Sequence, residues 1–358
     1  MHNTQRLGTL DLLRAVAAIG VCISHVLGAL RTTDHSLAKL LPVWEATLFL
    51  RVPILFWISG FVIATTLRNQ NFSLQSSFGF LKRRLVGVMI PLWLALIFTY
   101  GYEKVLWLTG YTHIPSRSVI DIILNALCMQ DYFGIRRWID PTWSLSYEIQ
   151  FYVLTAIAWL FSHLSRPSIQ KLLIFATLIT ILVITSNLTS LVELPPAYGF
   201  WHLRWFGLGI ICAFTYWRRV PPMFTWICVL AQYVGLLLEY KQHNPVVPAI
   251  AVLLLALYTS IHGLQKYMVG PKTSPEMSTF SYCLYLVHWP LASHSFVWSA
   301  VCVRLGIPES NWPYFAIIVP ILASVMLAKP ILKLTQIALM RFPTLQLTRV
   351  SKPPASGG

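Results

Sequence analysis

Charge is what this sequence has least of. Only 11% of its 358 residues are Asp, Glu, Lys or Arg, less than half the roughly 25% of a soluble domain. Over a chain of this length the deficit excludes an ordinary water-soluble fold. The six cysteines form no C-x-x-C pair and no metal-ligand spacing, and most sit within apolar runs. That argues against a disulfide framework and against zinc, because such cysteines behave as small hydrophobes. No A-x-A cleavage pattern follows the first apolar run, so that run is expected to be a retained helix and not a secretory signal. Internal repeats, a glycine-rich phosphate loop and an appended soluble domain are also not found.

What is abundant is apolar: 56% of the residues are hydrophobic and 13% aromatic. Stretches of about 20 apolar residues recur, each long enough to cross a hydrocarbon core of roughly 30 Å. The expected fold class is therefore an all-α integral membrane protein. We place about ten transmembrane helices at 10–30, 44–67, 86–108, 142–162, 170–190, 199–217, 222–239, 245–263, 278–300 and 313–335. With alternating sides and a cytoplasmic N-terminus, sixteen of the 27 basic residues fall on the cytoplasmic side, eight on the other, and Arg14, Arg51 and Arg204 within spans. This two-to-one bias sets both termini in the cytoplasm. The net charge of +15 is distributed as short blocks between spans, so it reads as a topology signal and not as a nucleic-acid site. Residues 1–340 are expected to form the membrane domain, with 341–358 a cytoplasmic tail whose end is disordered. The stretch Val119 to Met129, in the long outer loop, is too short to span and is expected to be interfacial or re-entrant.

Ionisable groups inside spans are costly and are functional candidates by default. In the first span Arg14 and His25 are eleven residues apart. At 100° per residue they share a face to within about 20°, roughly 16 Å apart along the axis. Ala18, Val21 and Cys22 lie between them on that face. The arrangement reads as a narrow track, with a fixed cation near the cytoplasmic mouth and a titratable base in the outer half. Close helix packing by small residues and snorkelling of Arg14 are the structural alternative.

Further candidates follow along the chain. Arg51, near the outer end of the second span, could neutralise an anion or pair with Glu148, while Ser59 and Gly60 allow close backbone approach. Lys82, Arg83 and Arg84 close the second cytoplasmic loop, where they serve topology or bind polyphosphate. Glu148 lies two turns into the fourth span behind Trp143 and Tyr147, and needs a partner such as His25 or Arg51. Ser281, Tyr285 and His288 share one face of the ninth span, as helix glue or as pocket lining.

Together these blocks resemble membrane-bound acyltransferase family 3, over residues 6 to 335. The likeness rests on the Arg14/His25 pair with ten residues between, on Ser59-Gly60-Phe61, on the W-S-L-S-x-E block Trp143 to Glu148, and on Ser281 to His288. The resemblance implies an O-acyltransferase of a bacterial inner membrane. It would move an acyl group, acetyl by analogy, from cytoplasmic acyl-coenzyme A to a hydroxyl of an extracytoplasmic or lipid-linked sugar, with no metal. On that pattern His25 is the catalytic base, Arg14 its essential companion, and Glu148 the carboxylate that orients His25. Arg14, Lys82, Arg83 and Arg84 hold the donor phosphates; Arg51, Trp143, Tyr147, Tyr285 and His288 line the acceptor side. Both direct transfer and a covalent acyl-histidine are open.

One departure stands out: Gly87 occupies the place of the family's second arginine. Many relatives also carry an SGNH esterase-like domain that this chain lacks, so it would act alone or with polysaccharide-biosynthesis partners. The competing reading is a proton-coupled transporter or flippase for a sugar or lipid-linked saccharide. It lacks support from repeated halves. An inactive scaffold of an assembly complex is a third reading, sustained only by Gly87.

Overall fold

The computed structural model describes residues 8–31, 51–67, 73–111, 117–164, 202–217 and 276–341, with isolated positions at 221, 223, 227 and 230. Among the described residues every regular element is helical. In chain order these are α1 Gly8–Arg31, α2 Arg51–Leu67, α3 Leu74–Leu108, α4 Val119–Ala126, α5 Trp143–Leu164, α6 Leu203–Tyr216, α7 Met277–Ser293, α8 Ser295–Arg304 and α9 Trp312–Arg341. The spans expected at 170–190 and 245–263, nearly all of that at 222–239, and the tail beyond 341 lie outside the described residues.

Three described helices, over Leu10–Ala29, Leu74–Leu108 and Tyr314–Arg341, are long and apolar enough to cross a membrane; α2 and α6 are apolar but shorter. The distribution of side-chain size supports a lipid setting. On α1 the small Ala15, Ala18 and Cys22 face inward, whereas Leu12, Val16 and Ile19 face outward. Trp93 and Ile97 of α3, and Ile318, Leu322 and Met326 of α9, are likewise exposed. Such inversion suits a membrane, where small residues bring helix backbones together and large apolar ones meet acyl chains.

Pairwise contacts fix the helix directions. Arg14 meets Ser278 and His25 meets His288, so α1 and α7 run parallel. Tyr282 with Val88, and Tyr102 with His294, align α3 with α7. Phe56 packs on Trp143 and Ser59 bonds Glu148, so α2 follows α5. Tyr147 meets His202 and Phe151 stacks on Phe206, so α6 does too. Ser77 bonds the carbonyl of Ala156 while Arg84 lies over Tyr152, which sets α3 against α5. Helix α9 opposes α1 and α7: Ala316 clusters with Val26 and Ala292, while Ser324 reaches Cys22 and Thr335 reaches Cys283.

Besides α9, which runs six residues past the expected 335 to Arg341, two boundaries differ from the sequence reading. The third span was placed at 86–108 with a loop before it, but α3 starts at Leu74. Ser73 and Ser76 form a reciprocal capping box there, and the Lys-Arg-Arg run that follows has good helix propensity. Lys82, Arg83 and Arg84 are thus helical. The span at 278–300 is broken at His294. Pro290 removes a ladder donor, and the Ser293 hydroxyl and His294 ring both bond the Pro290 carbonyl in competition with the helix.

Between α3 and α5 the connection is tied down by polar side chains. Arg137 reaches Asp131 at 2.6 Å and Asp140 at 3.1 Å. Burial opposes its charge, but these carboxylates hold the guanidinium above its ordinary range. Cys128, in the left-handed region at φ 55°, is also buried here. Burial first, then Asp131 and Glu148, pushes its thiol up to about 12, so it is no nucleophile at neutral pH.

Candidate functional site

A cavity of about 260 Å³ opens among α1, α2, α3, α5 and α7. Arg14, Arg83, Arg84 and Ser278 line it, as do Ala18, Gly87 and Ser281, and Ser144 and Tyr285. These positions rise along α7 from Ser278 to Tyr285, about 10 Å at 1.5 Å per residue. The small side chain of Ala18 faces this passage, while Val21 and Cys22 pack as buried core.

Polar groups converge on one end of the cavity. Arg14 donates to the Ser278 hydroxyl and lies in the attractive fields of Glu148 and Asp11 and the repulsive field of Arg84. Glu148 accepts from Tyr152, one turn on, and from Ser59 at 3.3 Å. The Arg84 guanidinium sits 5.7 Å from the ring centroids of both Phe80 and Tyr152. Three guanidiniums therefore face the cavity, with Glu148 as the one carboxylate among its lining residues. Excess positive charge in such a place calls for an anion.

At the other end, Tyr285 shares a 2.7 Å hydrogen bond with Ser144 and donates to the Pro141 carbonyl at 3.1 Å. Its ring lies 6.0 Å from that of His288. His288 is wholly buried, and its Nε2 is 2.7 Å from Nδ1 of His25. The edge of Trp289 closes on the His25 ring at 5.2 Å. Arg14 and His25 thus face the same partner helix, one at the cationic end of the cavity and one just past its Tyr285 end.

The residues singled out from sequence are distributed as follows. Arg14, Arg83, Arg84, Glu148 and Tyr285 line the cavity. Lys82 does not. Consecutive helical positions are about 100° apart, so with Arg83 and Arg84 turned inward Lys82 is left exposed. Glu148, for which His25 or Arg51 was the expected partner, meets Ser59 and Tyr152 in the field of Arg14 and not His25. Trp143 and Tyr147 pack around His202, at 5.0 and 4.7 Å between centroids. The side chain of Arg51 lies outside what is described. Sequence reasoning missed Ser278, Tyr152 and His202. The first two were within reach, since Ser278 precedes Ser281 on the α7 stripe and Tyr152 follows Glu148 by one turn. Nothing in the local pattern marked His202. Among the described residues no group of three His, Cys, Asp or Glu side chains could hold a metal.

A family model described as an acyltransferase domain, Acyl_transf_3, matches residues 7–330. The chain belongs to acyltransferase family 3. No curated protein and no solved structure matches the chain. The match runs from just ahead of α1 into α9 of the acyltransferase, so it takes in every side chain of the cavity and both histidines.

Proposed function

We propose that this acyltransferase draws the acyl end of a cytoplasmic coenzyme A thioester into the cavity and transfers the acyl group, by analogy acetyl, to a sugar hydroxyl presented from the opposite face. One observation carries this reading: a single cavity begins at three arginines and ends one aromatic ring short of the pair formed by the buried His288 and the half-buried His25. Arg83 and Arg84 meet the donor's phosphates, which guanidinium groups recognise in fork geometry. Arg14 sits deeper, held by Ser278, and steers the remaining anionic charge. At about 260 Å³ the cavity is smaller than the roughly 300–1,000 Å³ of ordinary ligand pockets, which suits a thin pantetheine arm and not a whole nucleotide or sugar. Pro91 also removes the helical donor to the carbonyl of Gly87, leaving a backbone acceptor beside the cavity for an amide of that arm.

His25 acts as general base. It takes the proton of the sugar hydroxyl as that oxygen attacks the thioester carbonyl. The tetrahedral intermediate collapses, the C–S bond breaks, and the imidazolium returns the proton to the departing thiolate. The products are the O-acyl sugar and free coenzyme A. Glu148 serves the donor end, as counter-charge to Arg14 and Arg84. Trp143 and Tyr147 belong to the acceptor side.

The reading includes ten spans in a bacterial inner membrane with both termini cytoplasmic. In support, α1, α3 and α7, odd in that count, pack parallel to one another, and the even α5 and α9 oppose them.

The test is binding and turnover on purified protein in nanodiscs. Wild type should bind coenzyme A and hydrolyse or transfer from its acetyl thioester. His25→Ala should keep the binding and lose turnover by about 10²–10⁴-fold. Wild-type protein that fails to bind coenzyme A would point to a transporter, which has no use for it.

A further inference from the structure

We propose that His288 is a positioning residue that fixes the tautomer of His25, handing its reactive lone pair to Nε2. This inference rests on His25 being the base. A backbone carbonyl can only accept a hydrogen bond. The Leu284 carbonyl lies 3.3 Å from Nδ1 of His288, so Nδ1 carries the proton and Nε2 of the neutral ring carries the lone pair. That Nε2 is 2.7 Å from Nδ1 of His25. Two lone pairs do not bond, so His25 donates from Nδ1, and its own lone pair falls on Nε2. The rings are parallel to within 2° with centroids 5.0 Å apart, and with only 2.7 Å between the nitrogens that separation makes the pair end-to-end, donor and acceptor in one plane.

The relay runs from a main-chain carbonyl through one imidazole to a second. It does for His25 what a buried carboxylate does in a triad: it selects the tautomer and the ring orientation. It also gives the wholly buried His288 a task other than contacting substrate. Helix α7 supplies the carbonyl, the relay ring and, through Trp289, a wall against His25. The same helix holds Arg14 through Ser278. The distance between the donor anchor and the oriented base is therefore set by ten residues of one rigid element, about 15 Å. During transfer the arrangement stays balanced, since the proton taken at Nε2 makes His25 an imidazolium that still donates from Nδ1 to His288.

The test compares His288→Leu, which removes the acceptor, with His288→Gln, whose carbonyl oxygen reaches the position of Nε2. Coenzyme A binding serves as the folding control. His288→Leu should bind coenzyme A within about twofold of wild type but turn over at least about 10²-fold more slowly; a wrong tautomer costs up to about 10⁴-fold in a serine protease triad. His288→Gln should recover to within about tenfold of wild type. If the leucine variant does not fold, the glutamine variant and the spectrum of the wild type decide. ¹⁵N-histidine NMR of wild type, with the His25→Ala spectrum subtracted, should show His25 protonated on Nδ1. A wild-type His25 protonated on Nε2, or full turnover in His288→Leu while His25→Ala is dead, overturns this inference alone. Full turnover in His25→Ala removes the base assignment and this inference with it.

Discussion

A Cβ placed on Gly209 would lie 2.1 Å from the carbonyl oxygen of Trp57. The same holds in reverse at Gly60, whose Cβ would stand 2.0 Å from the carbonyl oxygen of Phe206. Backbones of α2 and α6 therefore touch at two glycines, and neither obstruction is a side chain that could swing aside. Ser59, beside one of them, bonds Glu148, so this contact also holds the cavity wall.

Gly60→Ala and Gly209→Ala should each force α2 and α6 apart. Overpacking of this kind costs about 1–3 kcal/mol, and more where backbone must move. Thermal unfolding in detergent should show a lower midpoint for both, with turnover lost along with stability. Gly28→Ala, at a helical position with open space, should not lower the midpoint and should raise it slightly, since alanine is the better helix former by about 1 kcal/mol. Equal midpoints for Gly28→Ala and Gly209→Ala would remove the close-contact argument.

Glu148→Gln separates a donor-side role from a base-side one. The amide keeps an oxygen for Tyr152 and Ser59 but takes away the negative charge facing Arg14 and Arg84. An anionic donor should then bind several-fold more tightly at low ionic strength, with a steeper loss on adding salt, because one repelling charge has gone. Stability should fall, on the order of 3 kcal/mol, since a buried guanidinium loses its counter-charge. Isothermal titration with coenzyme A, paired with thermal unfolding, reads both. Unchanged donor affinity together with an altered acid limb of the pH–rate profile would return Glu148 to the side of His25.

Much of this was legible in the chain because a membrane makes polar residues informative. Arg14, Glu148 and Tyr285 stood out as polar groups in apolar surroundings, Arg83 and Arg84 as part of a basic block beside a span, and each lines the cavity. Helical period alone placed Arg14 and His25 on one face, and the structure sets both side chains against α7. Ser59 and Gly60 were open to packing, and packing is what Gly60 does. The pairings were harder. Period and depth say which residues share a level, not which helices are neighbours, so Glu148 could be matched with His25 when its neighbour in space is Arg14. The start of α3 was hidden because its first three turns are polar enough to resemble a loop, although Ser73 and Ser76 form a cap. His202 was masked by chemistry: a lone histidine before an apolar helix has no pattern around it.

Gly87 offers a test of the passage itself. It lines the cavity, and a Cβ there would meet nothing within 4 Å. Gly87→Ala should therefore raise the unfolding midpoint, as alanine is better than glycine in a helix by about 1 kcal/mol, and leave donor binding near wild type. Gly87→Leu should keep the gain in helix stability but fill the passage, weakening coenzyme A binding by tenfold or more. If the leucine variant binds and turns over normally, the donor does not travel this way.

The basic cluster on α3 separates topology from recognition. Lys82, Arg83 and Arg84 are equivalent as topology signals, because all three lie at the same end of one helix. They are not equivalent to a ligand. Lys82 is exposed and outside the cavity, whereas Arg83 and Arg84 line it, and Arg84 is further braced by the rings of Phe80 and Tyr152. Lys82→Ala should change coenzyme A affinity less than twofold, and Arg84→Ala should weaken it about tenfold or more. Arg84→Lys should recover only part of that loss, because an ammonium neither stacks as a planar guanidinium does nor grips a phosphate with two parallel bonds. Equal losses from Lys82→Ala and Arg84→Ala would mean that the donor sees a diffuse positive surface, and the cavity would lose its claim to be the entrance.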